Sequence, residues 1–423
     1  VNGSEIDKAL HTGKGRPFRM DIYPIEIGND DDLVRLIRTT GADEKSFYFF
    51  QRKSRMLSFF IPDADFRAAN ALKQELLSRG GDAIVHRGAI EGSIPTSNVV
   101  ILGTLKTLED LCDKLRSMPY WGLDEIRSGL VQAISSMGIR RWSLDLPNRG
   151  ELELGKRTKV MGIINVTDDS FYPGSRVDGP KKCVETALRM HEEGADILDI
   201  GAESTRPGSS PLSQEEEASR LIPAIAAVRR EVPQAVISAD TYRAGTAEPA
   251  LDSGADMIND ISGGAFDNRM FPLLARRGNP FVIMHARDVP GGMHHPVSYG
   301  DVIGEILTFF SGQILKAREA GVDPEQVILD PGIGFSKNAP QNLEVLKGLV
   351  SFSTLARPLL IGHSRKSTIG KVLGLENPED RLEGTLALTA FCAMKDVALI
   401  RVHDVAENIR SVKMIAALKG EGI

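Results

Sequence analysis

Cysteine is scarce: the 423 residues include three, Cys112, Cys183 and Cys392, far apart and with no Cys-x-x-Cys spacing. That excludes a disulfide framework and a cysteine-built zinc site. Each sits in a helical pattern beside apolar neighbours, where a thiol serves as a small buried side chain. Long apolar runs are also lacking, for none approaches the roughly 18 residues that span a bilayer. The amino-terminal VNGSEIDKAL has neither the basic region nor the apolar core of a secretion signal. A cytoplasmic location with no membrane partner is the expectation. Strong charge is missing as well: a formal net charge of -6 is too mild to make nucleic acid the main partner. Positive charge, where it matters, must act locally.

What remains is the composition of a globular protein, 42% hydrophobic, and a length that suits two domains. Residues 1–150 read as a small α+β domain. Phe47 to Phe50 and Met56 to Ile61 look like strands. Asp65 to Ser78 is an amphipathic helix stopped by Gly80 and Gly81, Asn98 to Leu102 a strand, and Leu105 to Leu115 and Leu123 to Met137 further helices. Nothing in this part forms a recognisable chemical constellation. Leu144 to Lys156, with Pro147, Asn148, Gly150 and Gly155, reads as a linker.

From 151 to 423, apolar strand-like runs alternate with helical patterns. The runs are Lys159 to Val166, Asp196 to Ile200, Ala235 to Ala239, Asp256 to Ile261, Phe281 to His285, Gln326 to Asp330, Pro358 to Ile361 and Val397 to His403. Eight strand–helix units in roughly 265 residues fit an α/β fold of the (β/α)8 TIM-barrel type, with a doubly wound sheet as the alternative. In a barrel, chemistry belongs at the carboxyl ends of the strands. Those ends carry Asn165, Arg206, Asp240, Asn259, Met284, His285, Asp330, Ser364, Arg365, Lys366, Arg401 and His403. The cations suit phosphate oxygens; the other reading makes them structural partners of barrel aspartates. Asp240, Asn259 and Asp330 each end a separate buried strand, where an unpaired polar group is costly. A planar, nitrogen-rich heterocycle could meet them. Two long loops, Thr167 to Pro180 and Ser204 to Ser213, have the length and charge of functional lids. Gly332-Ile333-Gly334 is only part of a dinucleotide fingerprint, and His294-His295 lies on a Gly/Pro-rich segment, so neither points to a nucleotide or metal site.

The segments GIINVTDDSF, GAESTRPGS, ISADTYRA, MINDISGG, FVIMH, ILDPGIGFSKN, GHSRKSTIG and IRVHDV occur in the order and spacing of the dihydropteroate synthases. Residues from Lys159 to the carboxyl terminus thus resemble these pterin-binding (β/α)8 enzymes of folate biosynthesis. The resemblance implies condensation of 6-hydroxymethyl-7,8-dihydropterin pyrophosphate with para-aminobenzoate, with Mg2+ as cofactor, in a homodimer that sulfonamides target. Carried over by motif, it implies Asp240, Asn259, Asp330, Lys366, Met284 and Phe335 around the pterin. Asn165, Arg206, Arg401 and His403 fall to the pyrophosphate, with Asn165 also a metal ligand. Thr205, Pro207, Phe171 and Ser364 border the aminobenzoate, and Asp240, Lys366, Arg206 and Asp169 act in catalysis.

The first loop departs from the family pattern. Thr167-Asp168-Asp169-Ser170-Phe171 stands where the family usually has Thr-Pro-Asp-Ser-Phe, and Pro173-Gly174 replaces a common Asp-Gly pair. Asp168 or Asp169 is then expected to supply the loop acid. Ala202 replaces a second glycine, and Arg243 follows the Asp-Thr pair where lysine is frequent. Two other readings stay open: a pterin-dependent methyltransferase on the same barrel, which would not need STRPG or SRKS, and a non-catalytic pterin-binding protein.

Overall fold

The computed structural model describes residues 22–147, 149–166, 179–202, 212–287 and 297–420. They divide into two compact units, the first ending at Val131 and the second beginning at Gln132. The division falls inside the helix Leu123–Met137, ahead of the expected 150/151 boundary.

In the first unit, β1 (Met56–Asp65), β2 (Asp82–Ile84) and β3 (Thr96–Thr104) make an antiparallel sheet in the order β1-β3-β2. Alternation sets its faces: Val99 and Ile101 of β3 are fully buried, while Phe60 and Ile84 remain exposed on the other side. Helices Phe66–Leu77 and Leu105–Leu115 pack on β3 and contribute Leu72, Leu76, Leu108 and Leu111 to the core. The expected strand at Phe47 to Phe50 is instead the helix Phe47–Gln51. Aromatic residues favour strands only where a pleated surface buries one face, and here Tyr48 and Phe49 are 73% and 72% exposed. Asp43 accepts the Lys45 amide at 2.9 Å and starts a helical turn ahead of them.

The second unit is a parallel barrel of β6 (Lys159–Asn165), β7 (Ile197–Gly201), β8 (Val236–Asp240), β9 (Met257–Asp260), β10 (Phe281–Met284), β11 (Val327–Asp330), β12 (Leu360–Ile361) and β13 (Leu399–Val402). The order β11-β10-β9-β8-β7-β6-β13-β12 is closed by a parallel bridge between Leu329 and Leu359. Closure selects the barrel over the doubly wound sheet. The strands are buried on both faces, which is why they read as unbroken apolar runs. At their amino ends Asp196 and Asp256 act as braces. Asp196 accepts the Val160 amide at 2.9 Å and pairs with Arg157 and Lys159. Asp256 accepts the Ile237 amide at 2.8 Å and pairs with Arg149 and Arg229.

The expected linker is a hairpin of β4 (Trp142–Leu146) and β5 (Gly150–Leu154) that belongs to the barrel. Its Leu144, Leu146, Leu152 and Leu154 bury against Met161, Ile197, Met257, Val282, Ile328 and Leu399, plugging the amino-terminal end. The Trp142 indole N–H donates to the Ala356 carbonyl at 3.0 Å. Of the residues that suggested a linker, Pro147 lies between these two strands, Gly150 opens β5 and Gly155 follows it. All three cysteines are buried and unpaired, as expected.

Candidate active site

Parallel register sets the height of the strand ends. Asn165 lies beside Gly201, Gly201 beside Asp240, and Asp240 beside Asn259, so the first four strands end at one level; Met284 lies beside Asp330 on the far side. Gly201 leaves room here, because an added Cβ would come within 3.1 Å of the Asp240 Cβ.

A polar floor forms inside this ring. Arg401 of β13 reaches inward, its Nε donating to Asp199 Oδ2 and one Nη to Asp240 Oδ2, both at 2.6 Å. The Asn259 side-chain amide donates to the same Asp199 oxygen at 3.1 Å. Burial disfavours the arginine charge, but Asp199 and Asp240 more than offset this and hold its pKa above the ordinary value. Two of the Arg401 donors expected to serve pyrophosphate are therefore engaged with barrel aspartates, leaving its remaining N–H groups for a ligand. Asp199 is the residue sequence reasoning missed. It is fully buried within an otherwise apolar strand, and its Oδ1 has no hydrogen-bond partner among the described residues. An aspartate in the run ILDIG was the available signal.

On the opposite side, Asp330 accepts the Gly332 amide at 2.8 Å, and burial raises its pKa while Lys366 works against the rise. Lys366 donates to the Ile333 carbonyl and lies 4.4 Å from the Phe335 ring centroid. Burial pulls its pKa down to about 8, with Asp330 opposing. Gly362 opens the space between these groups: a Cβ there would sit 3.7 Å from Lys366 Nζ and 3.8 Å from Asp330 Oδ2. Above the floor, Ile261, Met284 and Phe335 form a separate apolar cluster, flanked by Tyr242 and Ala286. The result is a polar base beneath hydrophobic walls, the design of a pocket for a flat, hydrogen-bonding ligand.

At the mouth, Ser364 and His403 meet across adjacent strand ends, Oγ to Nδ1 at 3.0 Å, and the Ser364 hydroxyl also accepts the His403 amide. Arg365, expected among the phosphate-facing cations, is instead a brace. Asp404 holds it through two contacts of 2.8 Å, and its other N–H groups reach the Pro378 and Glu379 carbonyls. His285 turns away from the pocket against Phe309, their ring centroids 5.0 Å apart, and burial pushes its pKa down to about 2. Arg243 pairs with buried Glu217 at 2.8 Å and donates to the Leu212 carbonyl, joining the end of β8 to the helix Gln214–Glu231. Asp168, Asp169, Phe171, Thr205, Arg206, Pro207, His294 and His295 lie outside the described residues.

A closed eight-stranded barrel with this floor and these walls is a pterin-binding architecture, and the chain belongs to the pterin binding enzyme family, whose model matches residues 161–403. Within that family its relatives are dihydropteroate synthases. It is 46% identical over 264 residues to the Synechocystis dihydropteroate synthase, a match covering 62% of this chain and 91% of that one. A Haloferax volcanii protein described as a probable bifunctional folylpolyglutamate synthase/dihydropteroate synthase is 37% identical over 358 residues, 83% of this chain and 42% of its own length. That match is longer than the barrel unit and so extends into the first unit. The solved Xanthomonas albilineans dihydropteroate synthase with 4-aminobenzoic acid superimposes with a TM-score of 0.61 at 36% identity, covering 66% of this chain and 98% of that one.

Proposed function

We propose that this protein is a dihydropteroate synthase, a transferase that joins 6-hydroxymethyl-7,8-dihydropterin pyrophosphate to para-aminobenzoate. The observation that carries this reading is the convergence of Asp240, Asn259, Asp330 and Lys366 beneath Ile261, Met284 and Phe335. Polar groups at the base match the donors and acceptors along one edge of a pterin. The apolar walls match its two faces.

In this reading the C–O bond between the pterin methylene and pyrophosphate breaks first, and the aminobenzoate nitrogen then forms the new C–N bond. The floor supports such an SN1-like order. Asp199 and Asp240 meet Arg401, and Asp330 faces Lys366; carboxylates at the base of the pocket favour a cationic pterin. Arg206, His403 and the remaining N–H groups of Arg401 receive the departing pyrophosphate. Asn165, half-buried at the end of β6, presents a hard amide oxygen there, and no described residue hydrogen-bonds its side chain. One such donor fits Mg2+, which keeps several waters and binds substrate phosphates rather than a full protein cage. When bound, the ion neutralises the leaving charge. Asp169 is the loop acid assigned to this end. Thr205, Pro207, Phe171 and Ser364 border the aminobenzoate, and a sulfonamide, which shares its aniline and acidic group, competes there.

Exposed Val372, Leu373, Met394, Met414 and Leu418 on the last three helices of the barrel support a homodimer formed through these helices. Among the described residues no helix is long and apolar enough to cross a membrane, and a cytoplasmic location is part of the proposal. The test is direct: mix the pterin pyrophosphate, para-aminobenzoate and Mg2+ with the protein and follow pyrophosphate and dihydropteroate. Tight pterin binding with no pyrophosphate released would sink the synthase reading in favour of a pterin-binding protein.

A further inference from the structure

Lys337 is the buried charge that the pocket chemistry does not use. It is 5% exposed, burial pulls its pKa down to about 7 with Asp330 opposing, and among the described residues no carboxylate is in salt-bridge contact with it. Its Nζ is instead surrounded by lone pairs: His285 Nδ1 at 3.0 Å, the Gly332 and Phe335 carbonyls at 3.1 Å each, and the His285 carbonyl at 3.5 Å. An ammonium has three hydrogens to give, and the three shorter contacts can take all of them. For Nδ1 to accept, His285 must be neutral, and burial together with the Lys337 charge holds it so. Removing a cation from water without an acid to pair with is expensive. A site built to do so needs a reason beyond filling space.

The reason lies in what the four acceptors belong to. His285 follows Met284 at the end of β10, while Gly332 and Phe335 lie in the loop between β11 and the helix Ala339–Lys347. Met284 and Phe335 are walls of one apolar cluster. The same loop offers the Ile333 carbonyl to Lys366 and the Gly332 amide to Asp330. Lys337 therefore ties one wall to the other. The loop has no slack of its own to take up: Gly332 and Gly334 adopt φ of 68° and 81°, and a Cβ on Gly332 would fall 2.1 Å from the His285 carbonyl oxygen. Asn342 holds its outer side, accepting the Gly334 amide at 2.8 Å and donating to the Lys337 carbonyl at 3.3 Å.

We infer that Lys337 is a positioning residue for the pterin: its ammonium clamps the loop bearing Phe335 onto the strand end bearing Met284, setting the width of the slot and the place of the Lys366 acceptor. The inference rests on the pterin-binding reading above. It touches no reacting atom, so its effect falls on pterin affinity more than on the chemical step.

The test uses the full chain carrying Lys337→Met, Lys337→Arg or Phe335→Ala, and the Phe335→Ala/Lys337→Met double variant. Steady-state rates are measured with both substrates, and binding of 6-hydroxymethylpterin by calorimetry. Lys337→Met is expected to raise KM for the pterin pyrophosphate and weaken pterin binding by roughly 10-fold or more, with kcat within about 3-fold. Lys337→Arg, which keeps charge and donors, should recover most of the affinity. In the Phe335→Ala background the Met substitution should add less than about 2-fold, because the wall it positions is gone. An unchanged pterin KM in Lys337→Met, including the case in which only thermal stability falls, overturns the proposal. So does an effect that stays undiminished beside Phe335→Ala. If the Met variant does not fold, Lys337→Gln, which keeps two donors without the charge, is read by the same criteria with an intermediate loss expected. Wild-type protein that binds pterin but releases no pyrophosphate defeats the synthase reading alone, and the calorimetric comparison still decides the role of Lys337. Wild-type protein that does not bind pterin overturns both.

Discussion

Replacing Asp199 with asparagine removes one charge from the floor while almost preserving shape. Arg401 then keeps Asp240 at 2.6 Å but loses the carboxylate that meets its Nε at 2.6 Å. Breaking a buried ion pair by removing one partner costs about 3–5 kcal/mol, because the other charge stays buried. Asparagine retains an oxygen for the Nε hydrogen, which returns about 1 kcal/mol. The net loss expected for Asp199→Asn is about 2–4 kcal/mol. For a domain of this size that corresponds to a fall in melting temperature of roughly 5–15 °C, read by a thermal-shift or calorimetric scan. Adding Arg401→Met removes the stranded cation, so the double variant should be more stable than the sum of the single losses by roughly 1.5 kcal/mol or more. Pterin binding should weaken in both, since Asn259 is oriented by the same Asp199 oxygen. A melting temperature within about 2 °C of wild type, together with unchanged pterin affinity, would refute the argument that this ion pair organises the floor.

Two other perturbations test different parts of the molecule. A chain starting at Glu151 loses β4, and with it the buried Leu144 and Leu146 beneath the barrel; at about 2–5 kcal/mol for each large core side chain lost, it should be insoluble or melt far below a chain starting at Gly138. Equal stability of the two would show that the hairpin is not the plug. The second concerns pH: burial holds His363 down at about 4 and His285 at about 2, so both stay neutral in the folded state while the unfolded chain takes up protons below about 6.5. The unfolded state then binds more protons, and stability falls with falling pH, by up to about 1.4 kcal/mol per unit for each histidine. The window runs from about 6.5 to about 4 for His363. Urea unfolding at several pH values should show a shallower dependence in His363→Gln, and an identical slope would contradict the assignment.

Much of the barrel was legible because its strands are buried on both faces. All eight appear in the sequence as short apolar runs, and all eight are found within a few residues of the expected bounds. Asp240, Asn259 and Asp330 were recognisable because a polar group that ends such a run has to be satisfied by something. Other features were hidden for physical reasons. The β4–β5 hairpin carries turn residues and charges on its outer face, so its short strands resemble a linker until the open underside of the barrel supplies something for four leucines to cover. Phe47 to Phe50 has strand-forming side chains, but a strand needs a partner, and none of the described strands pairs with it.

Strand periodicity and strand ends are local properties, so Asp240, Asn259 and Asp330 could be placed at the ends of their strands from the sequence alone. The sequence could not say how those groups divide their interactions, since that depends on ring closure. Arg401 and Asp199 are 202 residues apart, and only the wrapping of β13 onto β6 beside β7 brings them together. Lys337 and His285, separated by 52 residues, meet because β10 and β11 are neighbours. A buried charge looks the same in a sequence whether it awaits a ligand or already holds a partner. Tertiary structure decided that Arg401 supports the floor, that Arg365 braces the rim and that Lys337 ties the walls, because each has at least one acceptor from a segment distant in the chain: Asp199, Asp404 and His285.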